Sequence, residues 1–192
     1  HTSADSGGRY PLSGVGDVNL YALFAELFLN LREPKNGRAG LIVPSGIATD
    51  DSTKDFFGAI SRKGLLVSLY DFENRNAIFP DVHRSYKFCL LTMGAALIAD
   101  FGFFLTSLEQ LGDGRRHFSL SPEDFELLNP NTYTCPVFRS QKDAELVRTI
   151  YQRVPVLIDD KKRKRADSAD RGNPWGISFL RMIDMANDSG LF

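Results

Sequence analysis

Leu65 to Met93 reads LLVSLYDFENRNAIFPDVHRSYKFCLLTM, two apolar runs around a polar loop, and the reading of this stretch decides the fold. Leu65 to Phe72 and Tyr86 to Met93 are short and rich in aliphatic and aromatic side chains, the composition of strands. Neither run alternates strictly between apolar and polar. Each is therefore expected to be covered on both faces, as in the middle of an α/β sheet. The loop between them carries Asn74, Arg75, Asn76, Asp81, His83, Arg84 and Ser85, interrupted by Ile78-Phe79-Pro80. A large aromatic beside a stiff proline, among hydrogen-bonding and cationic groups, suits stacking on a planar ligand.

Upstream, Leu20, Leu23, Phe24, Leu27, Phe28 and Leu31 recur at helical spacing after Asp17, a plausible N-cap, and the helix stops before Pro34. Leu41-Ile42-Val43 reads as a short buried strand ended by Pro44-Ser45-Gly46. Thr49 or Asp50 caps a second helix, Ser52 to about Arg62, with Phe56, Phe57 and Ile60 facing inward and Gly64 at its C-terminal end. Helix, strand, helix, strand, loop, strand is the order of the second half of an open α/β sheet. Downstream the pattern loosens. A strand is expected over Phe101 to Leu105, a helical turn over Ser107 to Leu111, and a helix start at Ser121-Pro122-Glu123-Asp124. Asn129 to Pro136 is turn-rich, Ser140 to Tyr151 is a helix, Val154 to Ile158 a short strand, and Trp175 to Met185 a final strand or helix. A soft boundary is placed near residue 95, giving domains 1–94 and 95–192.

The 192 residues fit one domain or one with an appendage, and 43% hydrophobic with 24% charged residues is ordinary for a globular chain. A net charge of −1 gives no global sign of a nucleic-acid partner, although a local basic face is what meets phosphates. Cys89 and Cys135 lie far apart and need not pair, which suits a reducing cytoplasm. No apolar run approaches membrane-spanning length and no signal peptide opens the chain, so neither membrane nor export is expected. Three scattered histidines and two distant cysteines lack ligand spacing, so no metal site is expected.

The blocks DFENR, IFP, VHRSYKF and LLT resemble the gamma-class adenine-N6 DNA methyltransferases of large bacterial restriction-modification and phage-defence systems. GRYPLSGVGDVNLYALFAE, GRAGLIVPSGIATDD, LSPEDFELLNPNTYTCPVFRSQKDAE and NPWGISFLRM continue the likeness in order. Those enzymes are much longer, and the likeness covers only the later part of their methyltransferase region. It implies a partial class I methyltransferase (Rossmann-like) sheet, the last three strands with an antiparallel final strand, plus a mixed α+β extension toward a DNA target-recognition region. It also implies a bacterial cytoplasmic setting, double-stranded DNA as partner and S-adenosylmethionine as the parent enzyme's cofactor. Residues 1–94 would be the C-terminal half of the catalytic domain.

Two signatures of the family are missing. Holding a poorly nucleophilic adenine amino group calls for Asn/Asp-Pro-Pro-aromatic, and Asn129-Pro130-Asn131-Thr132-Tyr133 lacks the second proline and falls after the sheet. A glycine-rich turn after a first strand is also lacking, since no apolar strand precedes Ser13-Gly14-Val15-Gly16-Asp17. The chain is thus expected to be a fragment, inactive alone, that works with an upstream methyltransferase half in the same or another chain. What it retains is part of the base pocket: Phe79, with Pro80, matches the aromatic that stacks on the flipped adenine. Arg75, His83, Arg84 and Lys87 are the candidate DNA contacts, and no catalytic residue is expected. Pro44-Ser45-Gly46, at a strand's carboxyl end, is either a ligand-facing turn or a plain strand-to-helix turn. The run Lys161 to Arg165 either follows a DNA backbone or is a solvated loop flanked by Asp159, Asp160, Asp167 and Asp170. Two alternatives stay open: a non-catalytic DNA-binding or target-recognition module, and a structural subunit, such as a homodimer, pairing through an exposed sheet edge at Leu41 to Val43.

Overall fold

Five strands form one mixed sheet in the order β1-β3-β2-β4-β5, in a computed structural model that describes residues 8–14, 18–164 and 172–178. The strands are β1 Ala39–Pro44, β2 Leu66–Glu73, β3 Lys87–Met93, β4 Ala99–Leu105 and β5 His117–Leu120. The two runs of the opening stretch are β2 and β3, and the fold is the expected mixed α/β sheet. β3 inserts between β1 and β2 and runs antiparallel to both, with Val43 and Asp71 flanking Cys89. β1 and β2 therefore point the same way, β4 joins β2 in parallel, and β5 closes the far side antiparallel.

α1 Leu20–Leu31 precedes β1, α2 Gly46–Thr49 and α3 Lys54–Arg62 lie between β1 and β2, and α4 Pro122–Leu128 and α5 Gln141–Arg153 follow β5. Phe56, Phe57 and Ile60 of α3 are fully buried, as their spacing predicts. Gly64 takes a positive φ of 61° beyond the helix end, where a Cβ would stand 3.0 Å from the Ala96 carbonyl oxygen. Ser121 accepts from the Asp124 amide and Asp124 returns the bond to Ser121, so α4 opens with a complete capping box. Aromatic packing joins the parts: Phe101 stacks on Phe118 at 5.2 Å, and Phe57 meets Phe125 edge-on at 6.0 Å.

Four expectations are corrected. The apolar stripe of α1 faces outward: Leu20, Phe24, Phe28 and Leu31 are exposed, while Ala22, Ala25 and Glu26 are buried. Small residues let the helix approach β1 closely, and the Glu26 carboxylate is satisfied by the Leu12 and Ser13 amides and the Ser13 hydroxyl. In β3 the burial alternates after all, with Cys89, Leu91 and Met93 buried and Phe88, Leu90 and Thr92 partly exposed. No strand forms over Val154 to Ile158, where Pro155 removes a ladder donor and Val154 and Leu157 are exposed. The expected helix cap Asp17 lies outside the described residues, and Asn19 precedes the first turn instead.

The chain divides into two compact units, His1–Val154 and Pro155–Phe192. The boundary placed near residue 95 falls between β3 and β4, inside the sheet. In the second unit, α6 Asp160–Lys164 forms where a loop was one of the two readings, and Asp159 caps it by accepting from the Lys161 and Lys162 amides. The Asp159 amide donates to the Gly172 carbonyl, and Trp175 Nε1 donates to the Pro155 carbonyl. Trp175 to Ser178 carries neither helix nor strand, and the rest of the expected Trp175 to Met185 element lies outside the described residues. No described helix is long and apolar enough to cross a membrane.

Candidate functional site at the carboxyl ends of the parallel strands

The ends of β1, β2 and β4 lie at one edge of the sheet, the place where open α/β folds bind ligands. At that edge β2 passes into the loop that carries Phe79. Asn74 opens the loop as the first residue of a short 3-10 turn and is wholly buried. Its Oδ1 accepts from the Phe79 amide at 2.9 Å, and its Nδ2 donates to the Phe79 and Val82 carbonyls at 2.9 and 2.8 Å. The Asn74 amide donates to the Tyr86 carbonyl, and Ala77 adopts a left-handed φ of 55° as the chain reverses. The carboxamide thus ties the start of the loop to its middle, alongside main-chain bonds from the Val82 amide to the Phe79 carbonyl and from the Tyr86 amide to the His83 carbonyl.

Phe79 is 37% exposed, and its ring meets Phe88 edge-on at 4.9 Å. Phe88 in turn stacks on buried Phe72 at 5.3 Å and 6°. Three rings thus run from the loop into the sheet, and the outermost keeps open surface. Pro80, Asp81, Val82, His83 and Arg84 line a shallow concavity beside it.

The expected cations are all on this loop or at its exit, and all are exposed. Arg75 pairs with Glu73 at 3.1 Å, Arg84 reaches the Arg75 carbonyl at 3.4 Å, and His83 Nδ1 meets the Ser85 hydroxyl at 2.8 Å. Lys87 begins β3 opposite Glu73. The patch is therefore mixed in sign, with Glu73 and Asp81 among the bases.

Beneath the loop a buried polar group escaped the sequence reading. The Ser45 hydroxyl, just past β1, donates to Asp71 Oδ1, and the Phe104 amide donates to Asp71 Oδ2 at 3.5 Å. Phe104 takes a positive φ of 61° where the β2–β4 register shifts, which turns that amide toward the carboxylate. Pro44-Ser45-Gly46 is thus a strand-to-helix turn tied to β2. Burial, with Asp71 adding to it, pushes the Cys89 thiol far up, and burial does the same to Cys135, so neither is a nucleophile. A further cluster lies on the opposite sheet face: Asp100 Oδ2 receives the Tyr70 hydroxyl and His117 Nδ1, both at 2.7 Å. His117 Nε2 is taken by the Leu111 carbonyl at 2.9 Å, which leaves the ring no nitrogen for base chemistry.

The near-miss Asn129-Pro130-Asn131-Thr132-Tyr133 packs beside Gly58 of α3. Buried Tyr133 has a positive φ of 57° and lies under the Arg62 guanidinium at 4.8 Å, while Asn129 Nδ2 holds the Thr134 hydroxyl at 2.6 Å. It is a packed turn against α3. Of Ser13 to Asp17, Ser13 and Gly14 are described and the rest lie outside the described residues. The Leu12 and Ser13 amides are already used by the Glu26 carboxylate. Lys161 to Lys164 are exposed on α6, and Arg165, Asp167 and Asp170 lie outside the described residues. Among the described residues no group of His, Cys, Asp and Glu is set to hold a metal ion.

Sequence signals for the missed residues were thin. Asn74 follows a strand and precedes a loop, but its burial depends on where residues 79–82 return. Asp71 reads as a polar interruption in an apolar run and nothing more.

No family model and no curated protein matches this chain. Solved structures do resemble it, among them the following two. One, described as showing the structural basis of complex assembly and conformational transition of the type I R-M system, aligns at 12% identity and a TM-score of 0.49. That alignment covers 76% of this chain and 39% of the other. The type IIG restriction endonuclease BpuSI aligns at 16% identity and a TM-score of 0.40, over 74% of this chain and 16% of its own. The chain spans well under two thirds of either.

Proposed function

We propose that this chain is part of a site-specific adenine-N6 DNA methyltransferase of a restriction-modification or phage-defence system, and that it contributes the wall on which the extruded adenine stacks. The observation that carries the reading is Phe79: a partly exposed ring, fixed by backbone and by ring contact, at the ligand-binding edge of an α/β sheet. Base–aromatic stacking contributes about 1–3 kcal/mol, which offsets part of the cost of taking a base out of its duplex. Arg84, His83 and Lys87 would meet phosphates of the same double-stranded DNA, with Arg75 partly neutralised by Glu73. The chain's own residues position the base; they hold neither the amino group nor a methyl donor.

S-adenosylmethionine, held by an upstream methyltransferase half, would supply the methyl group. The surface that would receive that half is open: β1 ends the sheet, its Ile42 is 59% exposed, and α1, which packs on the same strand, turns its stripe Leu20, Phe24, Phe28 and Leu31 outward. An unpaired strand edge beside an apolar stripe favours a partner. The same surface also supports the structural reading, in which the chain pairs with its own copy; a monomer by size exclusion that gains mass only with the upstream half decides against that reading. The direct test of stacking is methyl transfer by the two halves together. Phe79→Ala is expected to lower kcat/KM about 5- to 150-fold, the equivalent of the stacking energy, with fold retained. Unchanged turnover and an unchanged 2-aminopurine flipping signal would dismiss the role of Phe79.

A further inference from the structure

We infer that Asn74 is a positioning residue for Phe79: it holds the stacking ring in place before any base arrives, without touching the base itself. The inference rests on the stacking reading proposed above.

A loop that orders only upon binding costs about 1–2 kcal/mol of backbone entropy per residue, while one stacked base returns about 1–3 kcal/mol. Ordering even a few residues at the moment of binding would consume the whole stacking gain. The loop must therefore be set in advance for Phe79 to contribute, and Asn74 is the group that sets it. Both main-chain polar groups of Phe79 end on the Asn74 side chain, which places the Phe79 Cα and fixes the direction of its side chain. The bond to Val82 holds the far limb, and the Asn74 amide holds Tyr86 where the chain re-enters β3.

The chemistry is specific to asparagine. One acceptor and two donors are used at once, and the orientation of the amide is set by partners that are an N–H on one side and carbonyls on the other. Aspartate keeps the shape but turns an oxygen toward two carbonyl oxygens. Glutamine is one methylene too long for a wholly buried site. A residue serving only the hydrophobic interior would not need this set, and a passive surface loop does not need a buried amide.

The test uses the full chain and a single-stranded oligonucleotide carrying 2-aminopurine, whose fluorescence falls when it stacks. Wild type is expected to quench the probe saturably, and Phe79→Ala to weaken the midpoint about 5- to 150-fold, the equivalent of the stacking energy, with a residual quench still measurable. Asn74→Ala, and the isosteric Asn74→Asp, are expected to weaken the midpoint about tenfold, the size of one or two lost buried hydrogen bonds. In the Phe79→Ala background, Asn74→Ala is expected to add nothing, because its effect passes through that ring; hydrogen exchange should quicken at the Phe79 and Tyr86 amides while β2 and β4 stay protected. Should Asn74→Ala fail to fold, the aspartate variant supplies the same comparison. Midpoints like wild type for both Asn74 variants, with Phe79→Ala still deficient, overturn the positioning role and leave stacking intact. Losses that add fully in the double variant reduce Asn74 to a structural residue. An unchanged quench in Phe79→Ala overturns the stacking reading, and the positioning role with it.

Discussion

Arg148 on α5 reaches back to Asp124 on α4 with Nε to Oδ1 at 2.6 Å and Nη2 to Oδ2 at 2.8 Å, and also to the Ser119 carbonyl at 3.4 Å. Cutting this bidentate pair is a sharp test of how the second half of the first unit is held. Both side chains are mostly covered, 26% and 13% exposed, so the pair belongs between an exposed ion pair at about 0.2–1 kcal/mol and a sheltered charged hydrogen bond at about 1.5–3 kcal/mol. A coupling energy of about 1–2 kcal/mol is expected. Asp124 has a second duty, since it also accepts from the Ser121 amide in the capping box. Asp124→Ala should therefore cost more than Arg148→Met, by roughly the 0.5–2 kcal/mol of a lost cap. Urea unfolding of the wild type, both single variants and the double variant gives the cycle. A coupling below about 0.3 kcal/mol would refute the reasoning. So would separate transitions for residues before and after 95, because β4 is paired to β2 and a cooperative sheet unfolds as one.

Four further outcomes are expected. Burial, and then the Asp100 hydrogen bond, raise Tyr70 from 10 to about 12, so its contribution is complete below pH 10 and is lost between pH 10 and 12 as the unfolded chain releases a proton the native one keeps; Tyr70→Phe should flatten the stability–pH curve there, and an unchanged slope would contradict this. Gly64→Ala should destabilise by roughly 1–2 kcal/mol in thermal unfolding, since the positive φ and the Ala96 carbonyl both oppose a Cβ. Cys89 and Cys135 should stay unmodified by a thiol reagent until the chain unfolds, and fast labelling of the native protein would show that burial does not protect them. Leu20→Glu with Phe24→Glu should leave the melting temperature of the chain nearly unchanged, because both residues are exposed, while abolishing association with the upstream half measured by size exclusion.

Much of the architecture was legible in composition and spacing. The helix pattern of α3, the capping box at Ser121, Gly64 past a helix end and the two aromatic-rich runs of β2 and β3 are local features, and each is set by steric and hydrogen-bonding rules acting within a few residues. Four residues, His117–Leu120, are too few to announce β5, and the apolar stripe of α1 misled because periodicity locates a face without saying which neighbour meets it. Phe79 was visible as a candidate since a large ring beside proline in a polar loop is conspicuous in any sequence.

What the sequence by itself determined is α1, α3, the cap of α4, α5, the strands β1 to β4 and the aromatic on the loop, because those follow from short-range chemistry. Only the tertiary structure decided that β3 threads between β1 and β2, that Asp71 gathers Ser45 and Phe104, and that Asn74 grips Phe79 and Val82. Each of these joins groups brought together by chain reversal and strand pairing, and a polar side chain becomes a clamp only once its partners have been folded against it and water excluded.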